Sequence, residues 1–442
     1  MSSDHQPTQE PSDRENEFSF KAPGGISVQT DRTLLRANGQ SERFLLVEVT
    51  APTVAPDPSR ARPPVNLAFV LDRSGSMSAA GKLDLAKVAV ESALARLQTE
   101  DRFAVVVYDD RVDVVLEGSP ASAEARRLAG ERLARIDARG STDLGTGWLT
   151  GCEQVAVGQS PDGVNRALLL TDGLANVGIT DHDELVRHAA ELRERGISTT
   201  TFGVGTDFDE SLLQAMADAG GGHFTFIGSA VQIRDAIASE VGETLDVVAR
   251  DVVVDITMPE AVRVEALTPF PTEQRGSRTA IRLGDLVSGQ TIRIVLRLRF
   301  PLGGIGRDIG ALVNVGDRDE VFRRSAPALA PVALVWQFDT SQANDTQRRD
   351  RHVDRAVAAI FAARAQQQAV ALNRQGRFGE AAHAIDGVRR RIEGYAGSDA
   401  ELQRLVAMLG TEAPSYAAAM PEMQRKQRHF MASAQARSRP QS

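Results

Sequence analysis

The sequence predicts an α/β protein: a doubly wound, mostly parallel six-stranded sheet is inserted in a β-sandwich domain, and a C-terminal helical region follows. Three observations support this fold class. Strand-like and helix-like patterns alternate over residues 65–247, which is typical of a parallel sheet covered by helices. Period-two strand patterns flank that segment on both sides, and a helical period dominates near the C-terminus. The predicted units are residues 1–17, 18–64, 65–247, 248–340 and 341–442.

The N-terminal segment begins polar and then changes to strand patterns. Residues 1–17 are rich in Ser, Gln, Glu and Pro, and they predict a disordered tail. Residues 26–29 and 44–49 predict strands bounded by glycine turn signals. The five prolines between residues 51 and 64 predict a stiff linker.

The central segment predicts six strands with helices between them. Leu83 and Val90 recur with a helical period, and so do Leu185 and Ala189, so both stripes are expected to face the core. Residues 112–116 follow their neighbouring strand after a short turn and therefore predict an antiparallel edge strand. The expected strands are 65–71, 103–108, 112–116, 166–171, 198–204 and 223–227.

The segment after residue 248 returns to a period of two. In residues 291–300, apolar side chains occupy every second position and arginines take most of the others, as in a half-buried strand. Residues 18–50 are too short to bury a core of their own. We therefore expect them to add strands to the later β-sandwich, which makes the central sheet an insertion. Further strands are expected at 251–257, 261–266, 278–283, 309–315 and 331–338.

The C-terminal region, residues 341–442, predicts packed helices with a frayed end. Val353 lies on the apolar stripe of a first predicted helix, which ends near Gly376. Ala381 lies on the stripe of a second predicted helix, and a third helix follows. Residues 373–382 faintly resemble one tetratricopeptide unit, but no repeat of that period accompanies it. A helical cap on the β-domain is therefore favoured.

Composition and charge restrict the function classes. With 442 residues, 42% of them apolar, the chain has the composition of a globular protein of two or three domains. A formal net charge of −8 argues against nucleic acid as a partner, since phosphate binding needs clustered positive charge. The single cysteine, Cys152, excludes an internal disulfide. Because no signal-peptide pattern and no run of membrane-spanning length occur, we expect a cytoplasmic protein without membrane contact.

One loop carries the outline of a cation site. Asp72, Ser74 and Ser76 follow the apolar residues 65–71 at positions i, i+2 and i+4. Gly75 allows this loop to curl, so the three side-chain oxygens are able to converge on one point. Taken alone, this pattern is often a solvated turn.

Two later segments complete the pattern. Thr142 lies in residues 140–145, and Asp172 directly follows the strand-like residues 168–171. In open sheets of this type, ligands bind outside the carboxyl ends of the strands, where Asp72 and Asp172 both stand. Each segment alone is an ordinary turn or helix cap, but in this order and context they predict a metal site.

These segments resemble the metal-ion-dependent adhesion site of von Willebrand factor type A (VWA) domains. The flanking regions are similar to those of bacterial intracellular members with β and helical extensions. The resemblance implies metal contacts from the hydroxyls of Ser74, Ser76 and Thr142, while Asp72 and Asp172 bind directly or through water. An all-oxygen shell suits Mg²⁺ or Mn²⁺, makes Ca²⁺ less favoured and does not attract zinc.

The predicted function is a binding role. Only two carboxylates face the cation, so an Asp or Glu of a partner protein is expected to complete its shell. Kinship with the bacterial members implies an adaptor that assists an AAA-type ATPase or the assembly of a complex. We expect no enzyme. The P-loop and H-E-x-x-H signatures do not occur in the sequence, and no Gly-x-Gly-x-x-Gly pattern follows the first strand of the predicted sheet. The alternatives are a Mg-dependent hydrolase or nucleotide-binding enzyme, and a structural scaffold with an empty site.

Overall fold

A computed structural model describes residues 20–22, 24–54, 62–324 and 329–437. The tail expected at residues 1–17, residues 55–61 of the predicted linker, and the last five residues of the predicted helical region lie outside the described residues. The strands are β1 (Phe20–Ala22), β2 (Gly25–Thr30), β3 (Leu34–Arg36), β4 (Ser41–Thr50), β5 (Thr53–Val54), β6 (Val65–Asp72), β7 (Arg102–Tyr108), β8 (Val112–Pro120), β9 (Val164–Thr171), β10 (Ser198–Val204), β11 (Gly221–Ile227), β12 (Val247–Thr257), β13 (Arg263–Ala266), β14 (Thr272–Arg275), β15 (Arg278–Val287), β16 (Thr291–Phe300), β17 (Asp308–Gly316) and β18 (Val332–Asp339).

Helices cover both faces of the central sheet and form the C-terminal region. Two short 3₁₀ segments, Gly75–Gly81 and Ala230–Gln232, precede the first and the sixth α-helix. The α-helices are α1 (Lys82–Leu94), α2 (Ala123–Leu133), α3 (Leu144–Val157), α4 (His182–Glu194), α5 (Glu210–Ala219), α6 (Ile233–Leu245), α7 (Val321–Arg324), α8 (Ser341–Thr346), α9 (Arg351–Arg374), α10 (Phe378–Ala396), α11 (Ala400–Tyr416) and α12 (Glu422–Ala436).

The central sheet has the strand order β11-β10-β9-β6-β7-β8. All neighbours pair in parallel except β7 and β8, which are antiparallel, so β8 is the predicted antiparallel edge strand. Every residue of β6 and β9 is buried, because helices cover both faces of the sheet. This arrangement confirms the predicted α/β fold class.

Most of the flanking strands form two packed sheets around a common core, and β1 pairs separately with β5. One sheet has the order β14-β15-β12-β17-β18-β3, and the other has the order β13-β16-β4-β2. Strand β4 pairs antiparallel with β16 over its whole length, from Ser41 opposite Phe300 to Thr50 opposite Thr291. Chain segments before and after the central sheet therefore share one sandwich. Strand β14 was not predicted, since all of its side chains are exposed and none marks a buried face.

The C-terminal helices pack against the sandwich and against one another. On α9, Val353, Val357 and Ile360 bury their side chains against Phe44 and Leu46 of β4. Helix α12 packs along α9 and reaches the edge strand β11 of the central sheet. The helical region therefore contacts both neighbouring units, as a cap does. Within the described ranges, no helix has the length and apolar character that crossing a membrane requires.

Helix α3 lies very close to the sheet because glycines face it. A Cβ placed on Gly147 would lie 2.5 Å from Cγ of Tyr108, whose ring is fully buried. We expect Gly147→Val to destabilise the protein by about 1–3 kcal/mol, since an overpacked core forces neighbours to shift. Urea unfolding followed by circular dichroism measures this change. Gly387→Ala, on an open face of α10, is the matched control and is expected to stabilise by up to about 1 kcal/mol.

Candidate metal centre

Two adjacent parallel strands deliver one aspartate each to the same edge of the sheet. Asp72 is the last residue of β6, and Asp172 directly follows β9. The register places Leu71 opposite Leu170, so the chain ends of both strands lie side by side. Both carboxylates are almost fully buried, with relative exposures of 0% and 1%. The predicted aspartates therefore meet at the carboxyl edge.

Local hydrogen bonds orient the carboxylate of Asp72. Its Oδ1 accepts from the backbone N–H of Ser74 at 2.7 Å, and its Oδ2 accepts from the Thr171 hydroxyl at 2.7 Å. Burial raises the pKa of Asp72 to about 6, although these hydrogen bonds oppose the rise; the nearby charge of Asp172 adds to it. The ionised form is thus costly here unless a cation lies close by.

The two serines and Asp172 form a chain of side-chain oxygens. Ser74 Oγ lies 3.1 Å from Ser76 Oγ, and the Ser76 hydroxyl donates to Asp172 Oδ1 at 2.5 Å. The other oxygen of Asp172 accepts from Lys82 Nζ at 2.5 Å. The 3₁₀ segment that contains Ser76 ends directly before this lysine. Ser74, Ser76 and Asp172 are therefore brought together as predicted.

The loop of Thr142 is fixed beside the serine loop by backbone hydrogen bonds. The N–H of Gly75 donates to the carbonyl of Gly140 at 3.2 Å. A Cβ placed on Gly173 would lie 3.4 Å from Thr142 Oγ1 and 4.0 Å from Ser76 Oγ. Both hydroxyls therefore border the same small space above Gly173. All five predicted site residues stand around one point of the sheet edge.

A buried aspartate directly after β7 connects the loops of the site. Asp109 Oδ2 accepts from Arg73 Nε at 2.9 Å and from Arg139 Nε at 2.8 Å. Its Oδ1 accepts from the backbone N–H of Arg111 at 2.7 Å, so a turn is also present. Burial alone would raise the pKa of Asp109, but Arg139 and Arg73 outweigh it and hold the pKa below its usual value.

Asp109 and Lys82 are the site residues that sequence reasoning missed. For Asp109, the available signal was Arg73, an arginine in a loop of otherwise small residues that calls for an acidic partner. Lys82 is one of four lysines in a chain whose other basic residues are arginines. Neither signal shows which residue the arginine or the lysine contacts, because these contacts join residues 30 to 90 positions apart in the sequence.

The donor set is chemically uniform. Three hydroxyls and two carboxylates line the site, and oxygen ligands of this kind suit a small, hard divalent cation. Two carboxylates and the ammonium of Lys82 leave one net negative charge in a buried place. The residues that are able to hold a metal ion here are Asp72, Ser74, Ser76, Thr142 and Asp172.

The central sheet matches a known protein family. The family model described as "von Willebrand factor type A domain" matches residues 66–238, which span the central sheet from β6 into α6. The chain therefore contains a VWA domain. The strand order and the helices on both faces belong to this domain, and domains of the family typically mediate protein–protein interaction.

Relatives in sequence extend beyond the VWA domain. The chain is 29% identical to "Uncharacterized protein YfbK" of Escherichia coli over 63% of its own length, and it spans about half (49%) of that relative. It is 26% identical to "Uncharacterized protein sll0103" of Synechocystis, with 70% of this chain and 74% of that protein covered. Human inter-alpha-trypsin inhibitor heavy chain H4 is 29% identical over 48% of this chain and 23% of its own length.

Two solved structures share the fold over nearly the whole chain. The first, "von Willebrand factor type A from Catenulispora acidiphila", has a TM-score of 0.70 at 17% identity and covers 96% of this chain and 99% of its own. The second, the "ArnB paralog VWA2 from Sulfolobus acidocaldarius", has a TM-score of 0.64 at 15% identity and covers 94% and 99%. At these identities the likeness concerns the fold: the VWA domain, sandwich and helices recur together.

Proposed function

We propose that this protein is a divalent-cation-dependent protein-binding adaptor, whose VWA domain grips a carboxylate of a partner through a bound metal ion. The observation that carries the proposal is the convergence of five oxygen-bearing residues at the ends of β6 and β9. The proposed ligands are Asp72, Ser74, Ser76, Thr142 and Asp172, and the proposed ion is Mg²⁺ or Mn²⁺, with Ca²⁺ less favoured.

The bound ion would supply a positive centre with a coordination position for an outside carboxylate. The chain's own groups set its charge. Because Lys82 pairs with Asp172 and so neutralises one of the two carboxylates, a divalent ion would change one net negative charge into one net positive charge. An Asp or Glu of a partner is then attracted to the positive site. The hydroxyls of Ser74, Ser76 and Thr142 are neutral, so they do not repel the partner's carboxylate.

Rigid support helps such a site to bind without a large entropy cost. Arg73 and Arg139 both donate to Asp109, which ties the serine loop and the threonine loop to the end of β7. Backbone hydrogen bonds reinforce this connection, including that of Arg139 N–H to the Arg73 carbonyl at 2.7 Å. The loops are therefore held in place before a partner arrives, which favours affinity.

The surroundings of the site offer room for the residues that flank a partner's carboxylate. Leu174 follows the Asp172 turn and exposes 53% of its surface. It lines a cleft of about 470 Å³ together with Phe208 of the VWA domain and Arg374 of the helical region. We propose that the helical region contributes to partner choice at this cleft. Assistance to an AAA-type ATPase or to complex assembly in the cytoplasm is part of the same proposal.

Quantitative affinity capture from lysate tests the function. We expect a set of proteins that the full chain retains in Mg²⁺ and loses at least about tenfold in EDTA or with Asp172→Asn, because the metal contact is then absent. Asp84→Asn, which changes an exposed carboxylate on α1, is the matched control and should retain them. An identical set of proteins in all samples would refute the proposal and favour a scaffold.

The comparisons do not favour the alternative of a Mg-dependent hydrolase or nucleotide-binding enzyme. Turnover assays on the same preparation, with and without Mg²⁺, separate that alternative from the adaptor. Metal-dependent turnover that disappears with Asp172→Asn would replace the binding proposal by an enzymatic one.

A further inference from the structure

A second group of metal-ligating side chains lies on the VWA domain away from the first site. His223 is near the start of the edge strand β11, and Glu240 and Glu243 face it from α6. The ligand atoms of these three residues all lie within 4.8 Å of one another. Because Asp72 and Asp172 mark the opposite, carboxyl ends of the strands, the two groups occupy different ends of the sheet.

The geometry points to a transition-metal site, with Zn²⁺ as the fitting ion, formed by His223, Glu240 and Glu243. His223 Nδ1 lies 3.3 Å from Glu240 Oε2. Two ligands bound at about 2.0 Å to a tetrahedral ion are separated by about 3.3 Å, so the imidazole and this carboxylate already stand at coordination spacing. Imidazole nitrogen with carboxylate oxygens selects zinc-like ions and distinguishes this group from the all-oxygen first site.

Other side chains hold one oxygen of the Glu240 carboxylate. Its Oε1 accepts from Arg166 Nη1 at 2.8 Å and from the Thr200 hydroxyl at 2.8 Å. Arg166, Thr200 and His223 come from the three neighbouring strands β9, β10 and β11. These bonds fix Oε1, and the imidazole Nδ1 lies 3.4 Å from that oxygen and 3.3 Å from Oε2. Outer hydrogen bonds of this kind are what orient metal ligands in proteins.

An approach path for the ion is present. All three residues line a cleft of about 580 Å³ between β11, α6 and the C-terminal helix α12. Phe224 and Phe430 contribute apolar walls to the same cleft. Three protein ligands at the wall of an open cleft leave a fourth position for water or an anionic ligand, as in zinc sites that exchange ligands. Glu243 is half-buried at the wall of this cleft, with a carboxylate oxygen within 4.8 Å of the other two ligand atoms.

A hydrogen-bonded His–Glu pair without metal is the competing explanation, and Zn²⁺ titration calorimetry on the full chain separates the two. With Asp72→Ala removing the first site, we expect one Zn²⁺ site to remain. Adding His223→Ala should abolish it, and adding Glu243→Gln should weaken it at least about tenfold. His182→Ala is the matched control, because His182 is an exposed histidine that lies 3.2 Å from the carboxylate of Asp209.

Visible absorption of bound Co²⁺ reports the coordination of the ion directly, and not only whether the protein is folded. Co²⁺ in the Asp72→Ala protein should give the visible absorption of a tetrahedral site, and this absorption should disappear with His223→Ala. Zn²⁺ binding that is unaffected by His223→Ala or Glu243→Gln, or that is lost with Asp72→Ala alone, would overturn the inference. Glu243→Gln carries the test if His223→Ala fails to fold, because its side chain is not deeply buried.

Discussion

Addition of Mg²⁺ is expected to raise the melting temperature of the VWA domain, and Asp72→Ala is expected to abolish this increase. An ion that binds only the folded state stabilises it by about 2.7 kcal/mol when its concentration is a hundred times Kd. For a domain of this size, about 1 kcal/mol corresponds to roughly 2–4 °C. The expected increase is thus several degrees, and differential scanning calorimetry with and without Mg²⁺ measures it.

The physical reason lies in the burial of the site. Asp72 and Asp172 are buried side by side, and burial together with their mutual repulsion raises the pKa of Asp72 to about 6. A divalent ion removes that repulsion in the folded state and finds no such pair in the unfolded chain. Asp84→Asn should keep the full Mg²⁺ response, because Asp84 is exposed on α1. A response of Asp72→Ala equal to that of the unaltered protein would contradict the site.

The second large effect is expected from Lys426→Met, at the contact between α12 and the VWA domain. Lys426 Nζ donates to Glu210 Oε2 at 2.7 Å and to the Phe208 carbonyl at 2.6 Å, and both charged side chains are 2% exposed. Removing one partner of a buried pair costs about 3–5 kcal/mol, since the other charge stays buried. Because Arg374 also contacts Glu210, we expect the lower end, about 3 kcal/mol.

Urea unfolding of three variants tests this expectation. The double variant Lys426→Met/Glu210→Met should recover most of the loss, because a buried pair replaced by apolar side chains is often neutral. Lys87→Met, which removes an ion pair to the exposed Asp84, should change stability by less than about 1 kcal/mol. A double variant as unstable as Lys426→Met would show that packing, and not the pair, holds α12 in place.

The same pair predicts a pH dependence. Burial alone would raise the pKa of Glu210, but Lys426 and Arg374 outweigh it and hold the pKa below its usual value. A lowered carboxyl pKa contributes stability above the pKa of the unfolded chain, about 4.3, and loses it as the pH falls through the folded-state pKa. The stability difference between the unaltered protein and Glu210→Gln should therefore be largest near neutral pH and shrink in acid.

Elements with strong local patterns were predictable. Apolar runs in β6 and β9 predict strands that are buried on both faces, and the alternating arginines of β16 predict a strand that is buried on one face. All three strands occur where predicted. Strand β14 was missed because its exposed polar residues carry no such pattern; it forms only because β15 lies beside it. The loop of Asp72, Ser74 and Ser76 was recognisable because these residues all lie within five positions of the sequence.

The sequence alone determined the succession of strands and helices and the oxygen-rich loops at their ends, because hydrophobic period and turn chemistry act between near neighbours. Only the tertiary structure decided which distant groups meet. Asp109 joins Arg73 and Arg139, Lys426 reaches Glu210 across more than two hundred positions, and His223 faces Glu240. The sequence does not show which residue a charged side chain will pair with, since the pair forms its buried contact only when folding removes both groups from water.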